Sequence, residues 1–234
     1  MNDEKEGIAM IYDLIVIGGG PGGYDGAERA GHAGLSTLLI EKRALGGVCL
    51  NEGCIPSKTL LNSAKIADYA RHGSKYGVSA ENVKLDHKEV VNRKNKVVRT
   101  LVAGVSMKMK KSGVTVVNGE AVIDGHNSEG FQVKVGDAVY TGKRLMIATG
   151  SEPVMPPIPG LREGYADGFV LTNREILDLK ELPERLVIIG GGVIGLEMAS
   201  YFNAAGCKVT VVEMLDHIAG PTDREISTIL YNNY

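Results

Sequence analysis

Cys49 and Cys54 stand five residues apart in Gly46-Gly-Val-Cys-Leu-Asn-Glu-Gly-Cys-Ile-Pro-Ser-Lys58. The spacing is a poor one for a metal. It is not Cys-x-x-Cys, and no second Cys or His pair lies nearby, so no metal site is expected. A reversible disulfide fits better. An ideal helix separates residues five apart by about 8–9 Å between Cα atoms, whereas a disulfide needs roughly 4.4–6.8 Å. The backbone between the cysteines must therefore depart from a helix, and Gly53 permits that. Some strain makes such a bond easier to reduce. Lys58, one turn after Cys54, favours a nearby thiolate. Two unrelated buried cysteines are the plainer alternative. Cys207, beside Gly206 at the start of a strand, reads as a packing residue.

The second chemical signal is a pair of glycine turns. Glycine makes up 31 of 234 residues, about 13%, against a usual ~7%, and it is concentrated in a few runs. Leu14-Ile-Val-Ile-Gly-Gly-Gly-Pro-Gly-Gly23 matches Leu186-Val-Ile-Ile-Gly-Gly-Gly-Val-Ile-Gly195 at an offset of 172 residues. Gly34 matches Gly206, and Glu41 matches Glu213. Each copy reads as an apolar strand, a glycine turn, a helix, a glycine and a second strand ending in Glu. The apolar runs suit strands buried on both faces of a parallel sheet. A lone G-x-G-x-x-G is weak, but here each copy follows a strand, opens a helix and reaches an acid 23 residues on. That context is the dinucleotide-binding fingerprint. Gly18, Gly20 and Gly23, or Gly190, Gly192 and Gly195, permit a tight turn, close approach of a pyrophosphate and close helix–strand packing. The helix N-terminus offers free N–H groups to phosphate, and Glu41 or Glu213 accepts from ribose hydroxyls. Glu213 repels a 2′-phosphate, and no Arg lies in Lys208–His217. The second turn therefore favours NAD over NADP.

The elements that must carry these groups are legible in outline. Asp86–Ser112 has an imperfect helical period ending near Gly113. Val114–Val117, Ala121–Ile123, Phe131–Val135 and Ala138–Tyr140 read as short strands with Asp-Gly and Gly-Asp turns, predicting a small antiparallel meander. Arg144–Thr149 is a further strand. Pro153, Pro156, Pro157 and Pro159 then mark a linker, followed by a short helix at Asn173–Leu179 and another at Arg224–Tyr234. The expected class is α/β: two Rossmann-like nucleotide-binding domains, 1–152 with the meander and 153–234 incomplete.

Composition excludes other classes. Lys+Arg is 26 and Asp+Glu 28, a formal charge of −2, so no basic excess argues for nucleic acid or an anionic membrane. The longest apolar runs are too short to span a bilayer. Met1–Gly7 is polar and acidic, unlike a signal peptide. A cytoplasmic address is expected, where a permanent structural disulfide is rare.

The cysteine segment, taken with the doubled fingerprint, resembles the active-site segment of the pyridine nucleotide–disulfide oxidoreductases. Within that family, Leu-Asn-x-Gly-Cys-Ile-Pro-Ser-Lys and the NAD-type acid are most similar to the dihydrolipoamide dehydrogenases. Glutathione and mercuric reductases have related segments. The resemblance runs from Tyr12 to Tyr234. It implies FAD on the first repeat, through Gly18, Gly20, Pro21, Gly22, Gly23, Glu41, Lys42, Gly46, Gly47, Val48, Cys49 and Lys58. It also implies that the Ala121 backbone meets the adenine and that Thr149 and Gly150 lie along the flavin. NAD is implied on Gly190, Gly192, Val193, Ile194, Gly195 and Glu213. Cys49 takes the role of interchange thiol and Cys54 that of charge-transfer thiol. Lys58 sits near flavin N5, paired with Glu197. The implied partners are lipoyl domains of a 2-oxo-acid dehydrogenase or glycine-cleavage complex, and a second copy in a homodimer.

The chain departs from the family in two ways. Only 21 residues follow Glu213, whereas family members continue for roughly as long again, with a strand returning to the FAD domain, the dimer interface and a catalytic His–Glu pair. None of His32, His72, His87, His126 or His217 lies in a matching motif. These 234 residues alone are therefore expected to show little or no NAD-linked lipoamide turnover. The other departure is Asp25-Gly26, where small or apolar residues are usual. The rival readings are another disulfide reductase of the same superfamily and a non-catalytic FAD-binding remnant.

Overall fold

The computed structural model describes residues 10–234; the reading of Met1–Gly7 lies outside the described residues. In chain order the elements begin with β1 (Ile11–Tyr12), β2 (Leu14–Ile17), α1 (Pro21–His32), β3 (Thr37–Glu41), α2 (Gly47–Glu52), α3 (Cys54–Arg71) and α4 (His87–Lys111). Then come β4 (Thr115–Asn118), β5 (Ala121–Asn127), β6 (Gly130–Val135), β7 (Ala138–Gly142) and β8 (Leu145–Ile147). The chain closes with α5 (Leu161–Ala166), α6 (Asn173–Ile176), β9 (Arg185–Ile189), α7 (Val193–Ala205), β10 (Lys208–Val212) and α8 (Arg224–Tyr231). The architecture is α/β with Rossmann-like parallel sheets. Among the described residues no helix is long and apolar enough to cross a membrane.

Contacts divide the chain into two units. The first comprises the described residues up to Asn51 together with Arg99–Glu152; the second comprises Glu52–Val98 with Pro153–Tyr234. Glu152/Pro153 is thus one point where the chain passes between units. Residues 52–98 pack in the second unit, where Leu60 and Ala64 of α3 are buried with Met198, Tyr201 and Phe202 of α7.

In the first unit a four-stranded parallel sheet runs β4-β3-β2-β8. Ile15, Ile17, Leu38 and Ile40 face one side, in a cluster with Tyr12 and Val133. Val16 and Leu39 face the other, with Ala27 of α1 and Met109 of α4. Both faces are covered, so the strands are apolar throughout. Two expectations about this region are corrected. Thr115–Asn118 is not in the meander: it pairs parallel with β3, Leu39 opposite Val116. The β5-β6-β7 meander is instead extended by β1, parallel to β7. Asp124-Gly125 is not a turn either. β5 continues through it with a register shift between Ile123 and Gly125. The reversal comes later, where Asn127 Oδ1 accepts from the backbone N–H of Glu129 and Gly130, as asparagine does in turns. The Gly136-Asp137 turn joins Val135 to its partner Ala138.

In the second unit β9 and β10 pair parallel, Leu186 opposite Val209 and Ile188 opposite Val211. Their alternation differs from that of the first copy. Leu186, Ile188 and Val209 pack on the cluster around Tyr201 and Phe202, while Val187, Ile189 and Val212 are exposed. Burial on both faces therefore holds for the first copy only, because among the described residues this sheet has two strands and a covering on one side. Cys207 is buried in the same cluster, and burial pushes its thiol pKa up. His87 is buried too: Nε2 faces Leu179 O, and Nδ1 faces the Tyr201 hydroxyl, both at 2.8 Å. A carbonyl only accepts, so Nε2 carries a hydrogen. Burial pushes Tyr201 up to about 12, which keeps its hydroxyl protonated.

Candidate functional site

The first glycine turn is built by backbone against backbone. Gly18 has φ +102°, and a Cβ there would lie 2.2 Å from Ala148 O and 3.1 Å from Thr149 Cα. A Cβ on Gly23 would lie 1.8 Å from Gly18 O, and one on Gly47 would lie 2.5 Å from Gly20 Cα. Three segments therefore meet here that only glycine lets meet: the turn, the start of α2, and Ala148–Gly150 after β8. Gly46 N–H donates to Gly19 O at 2.8 Å. The Glu41 carboxylate accepts from Gly19 N–H (2.6 Å) and from Arg43 N–H (2.7 Å). Its main-chain oxygen accepts from Gly119 N–H at 2.9 Å, two residues before Ala121. Lys42 Nζ lies 3.2 Å from Glu120. Gly18, Gly20, Pro21, Gly22, Gly23, Glu41, Lys42, Gly46, Gly47, Val48, Cys49, Ala121, Thr149 and Gly150 thus belong to one unit. The turn sits at the carboxyl ends of parallel strands, where α/β sheets bind ligands.

The cysteine segment leaves the helix where the spacing argument required. α2 ends at Glu52, Gly53 has φ −144° and ψ −112°, and Cys54 begins α3. None of the three cysteines is in a disulfide; Cys49 is half-buried and Cys54 exposed. In the second unit, Lys58 Nζ donates to Glu197 Oε1 at 2.7 Å.

The second turn repeats the first. Gly190 has φ +107°, and a Cβ on Gly195 would lie 2.2 Å from Gly190 O. The Glu213 carboxylate accepts from Gly191 N–H (2.7 Å) and Leu215 N–H (2.9 Å). Those N–H groups, Leu215 foremost, hold its carboxyl below the ordinary value of 4.5. Val193 and Ile194, on the first turn of α7, are exposed. A chain segment that carries an arginine also reaches this acidic loop. Arg224 of α8 lies 2.6 Å from Asp216, so the loop's nearby arginine is already engaged by a carboxylate.

Comparison with known proteins adds the decisive observation. The family model described as pyridine nucleotide-disulphide oxidoreductase matches residues 12–233. The chain belongs to this family. It is 45% identical to the dihydrolipoyl dehydrogenase of Acholeplasma laidlawii over 216 residues, covering 92% of this chain and 63% of that one. It is 43% identical to that of Bacillus subtilis over 230 residues, covering 94% of this chain and 48% of that one. Among solved structures it is similar to the HOCl-induced flavoprotein disulfide reductase RclA of Escherichia coli, at 33% identity and a TM-score of 0.77. That match covers 94% of this chain and 47% of the other. The chain spans about half the length of most of the curated relatives it matches.

The pair Asp25-Gly26, unusual against the pyridine nucleotide–disulfide oxidoreductase pattern, has a partial account. Asp25 is exposed, so its charge stays solvated. A Cβ on Gly26 would lie 2.9 Å from Met146 Sδ, so the glycine makes room for a large residue of β8. The sequence reading passed over Gly19 and Gly191, whose N–H groups the two acids hold. The signal was present: both lie inside the matching Gly-Gly-Gly runs. It also missed Glu52, Asn173 and Arg174, which nothing in the local sequence connects.

The Glu213 shift gives a pH prediction. A carboxyl whose folded-state pKa is depressed adds stability above its unfolded pKa and loses it as pH falls through the folded one. The thermal midpoint of wild type is therefore expected to exceed that of Glu213→Gln at neutral pH. The gap should close as pH falls below about 4.5. A gap that widens towards acid would contradict the assignment.

Proposed function

We propose that this chain is the nucleotide- and disulfide-carrying part of a dihydrolipoyl dehydrogenase, with residues 1–152 the FAD-binding domain and 153–234 the start of the NAD-binding domain. The observation that carries it is the Cys49–Cys54 segment, joined through Gly46 and Gly47 to a glycine turn whose Gly20 and Gly47 are in backbone contact. The residues fit two nucleotides. Gly20 and Gly192 are helix N-caps with no side-chain cap; a Cβ would meet nothing nearer than 3.7 Å at Gly20 and nothing within 4 Å at Gly192. Each turn thus presents helix N–H groups to open space, as pyrophosphate binding requires. The carboxylate oxygens of Glu41 and Glu213 each use one backbone donor and keep lone pairs for ribose hydroxyls. An ionised Glu213 favours NAD.

FAD, held by the first glycine turn and Glu41, would supply a two-electron acceptor for the cysteine dithiol, and NAD, held by the second turn and Glu213, a final acceptor. The residues supply the rest. Cys49 exchanges with a dihydrolipoyl sulfur. The Cys49–Cys54 disulfide takes two electrons and two protons from the dihydrolipoyl dithiol, leaving a lipoyl disulfide and two cysteine thiols. Glu197 of α7 holds in place the ammonium of Lys58, which α3 carries. Lipoyl domains as substrates, a homodimer and a cytoplasmic address belong to the same reading. The likeness to RclA favours a second reading, a disulfide reductase with another substrate. Purified full-length protein should show flavin absorbance and should reduce NAD with dihydrolipoamide. Flavin absorbance with turnover only on glutathione disulfide or mercuric ion would select the second reading. A colourless protein inactive on all three would sink both.

A further inference from the structure

Helix α2 ends at Glu52, so its last carbonyls lack helical partners. Asn173 Nδ2 donates to Glu52 O at 2.9 Å. Arg174 Nε donates to Glu52 Oε2 at 2.7 Å, with the two side chains only 22% and 16% exposed. One short helix, α6, therefore grips both the main chain and the side chain of the residue before Gly53.

That helix is itself fixed. Thr172 and Glu175 form a reciprocal capping box at its start. Glu175 Oε1 also accepts from the Tyr165 hydroxyl at 3.0 Å. Burial works against the Glu175 carboxylate, but the Thr172 and Tyr165 hydrogen bonds outweigh it and hold the carboxyl below its ordinary value. Ile176 and Leu177 are buried against Leu60 and Ala64 of α3. The next residue, Asp178, binds the buried ammonium of Lys94. The body that holds Glu52 is thus the body that carries α3, whose first residue is Cys54. Clamp and thiol move together.

We propose that Arg174, with Asn173, is a positioning residue for the redox cysteines: by holding Glu52 it fixes the helix break at Gly53 that Cys54 follows. This rests on the reading of Cys49 and Cys54 as a redox couple. A fixed break limits the backbone between the two thiols to fewer conformations, which raises their effective concentration for each other. A free break spreads them over many arrangements and favours the dithiol. Removing one partner alone also takes an opposite charge away from a partly buried one.

The test is the disulfide equilibrium of the full-length protein in glutathione buffers. There, two glutathione thiols give two electrons and two protons to the Cys49–Cys54 disulfide, forming glutathione disulfide and two cysteine thiols. The disulfide fraction is read by alkylation and mass spectrometry, with thermal midpoints recorded in parallel. Arg174→Gln and Glu52→Gln are each expected to shift the equilibrium about tenfold towards dithiol, about 30 mV. The charge swap Glu52→Arg with Arg174→Glu should recover most of that shift, and Arg174→Lys part of it. The swap and the lysine variant carry the test if a glutamine variant does not fold. Folded variants with the wild-type equilibrium would overturn the clamp alone. An equal shift in the swap would overturn it too. A wild-type protein that forms no Cys49–Cys54 disulfide at any glutathione ratio would overturn the redox reading as well.

Discussion

Under the proposed function, Cys49→Ser in the full-length protein is expected to lower dihydrolipoamide oxidation by at least about three orders of magnitude, about 4 kcal/mol of barrier. A serine hydroxyl cannot form the disulfide, so the two-electron store shared with Cys54 is lost and no alternative acceptor of lipoyl electrons stands in the segment. The substitution is nearly isosteric and the position only half-buried. Flavin content and thermal midpoint should therefore stay close to wild type. Steady-state assay beside flavin absorbance separates the two effects. A folded, flavin-loaded variant that keeps more than a tenth of wild-type turnover would remove Cys49 from the reaction.

The second large effect separates glycines that hold the fold from glycines that admit a ligand. A Cβ at position 23 would stand 1.8 Å from Gly18 O, both atoms belonging to the strand–helix turn. Backbone cannot swing aside as a flexible side chain can, so Gly23→Ala forces helix and strand apart. A loss of about 3 kcal/mol is expected, at the upper end for an overpacked site. Gly20→Ala meets only Gly47 Cα at 3.7 Å, an ordinary contact, in a backbone conformation alanine adopts freely. Its stability should stay within about 0.5 kcal/mol of wild type. Its methyl nevertheless enters the space offered to pyrophosphate, and FAD affinity should fall at least about tenfold, about 1.4 kcal/mol. Thermal unfolding of the flavin-free proteins and titration with FAD read the two quantities separately. If Gly20→Ala bound FAD as wild type does, the pyrophosphate would have to lie elsewhere.

These contrasts explain which parts of the molecule were legible in the sequence. The two turns were, because a backbone crossing at 1.8 or 2.2 Å excludes every other residue and writes itself as glycine. The break at Gly53 was, because disulfide geometry and helix geometry conflict over five residues. Strand neighbours were less so. Thr115–Asn118 has the same apolar character as the meander strands, and no local pattern states that its partner is β3. Arg-Leu-Val-Ile-Ile in β9 resembles Leu-Ile-Val-Ile in β2, yet one is covered on one face and the other on both. Coverage depends on what packs from elsewhere, and strand composition does not record it. The same holds for Glu52 and Arg174, an opposite-charge pair 122 residues apart.

The interleaving of the two units also sets an order of assembly. Ile15 of β2 lies opposite Leu145 of β8, a partner 130 residues downstream. At about 5–20 residues per second of synthesis, β2 waits roughly 7–25 s for that neighbour. Contacts so distant in sequence make closure slow, and meanwhile Leu14–Ile17 is a sticky apolar segment that chaperones are suited to shield. The β9-α7-β10 crossover unit has no such delay, since its parallel strands are joined by one helix. Ala148 and Thr149 close on Gly18, so the first glycine turn, although among the earliest parts synthesised, is locked only after β8 is made. A dinucleotide at this turn, as proposed, could be held only once β8 is complete.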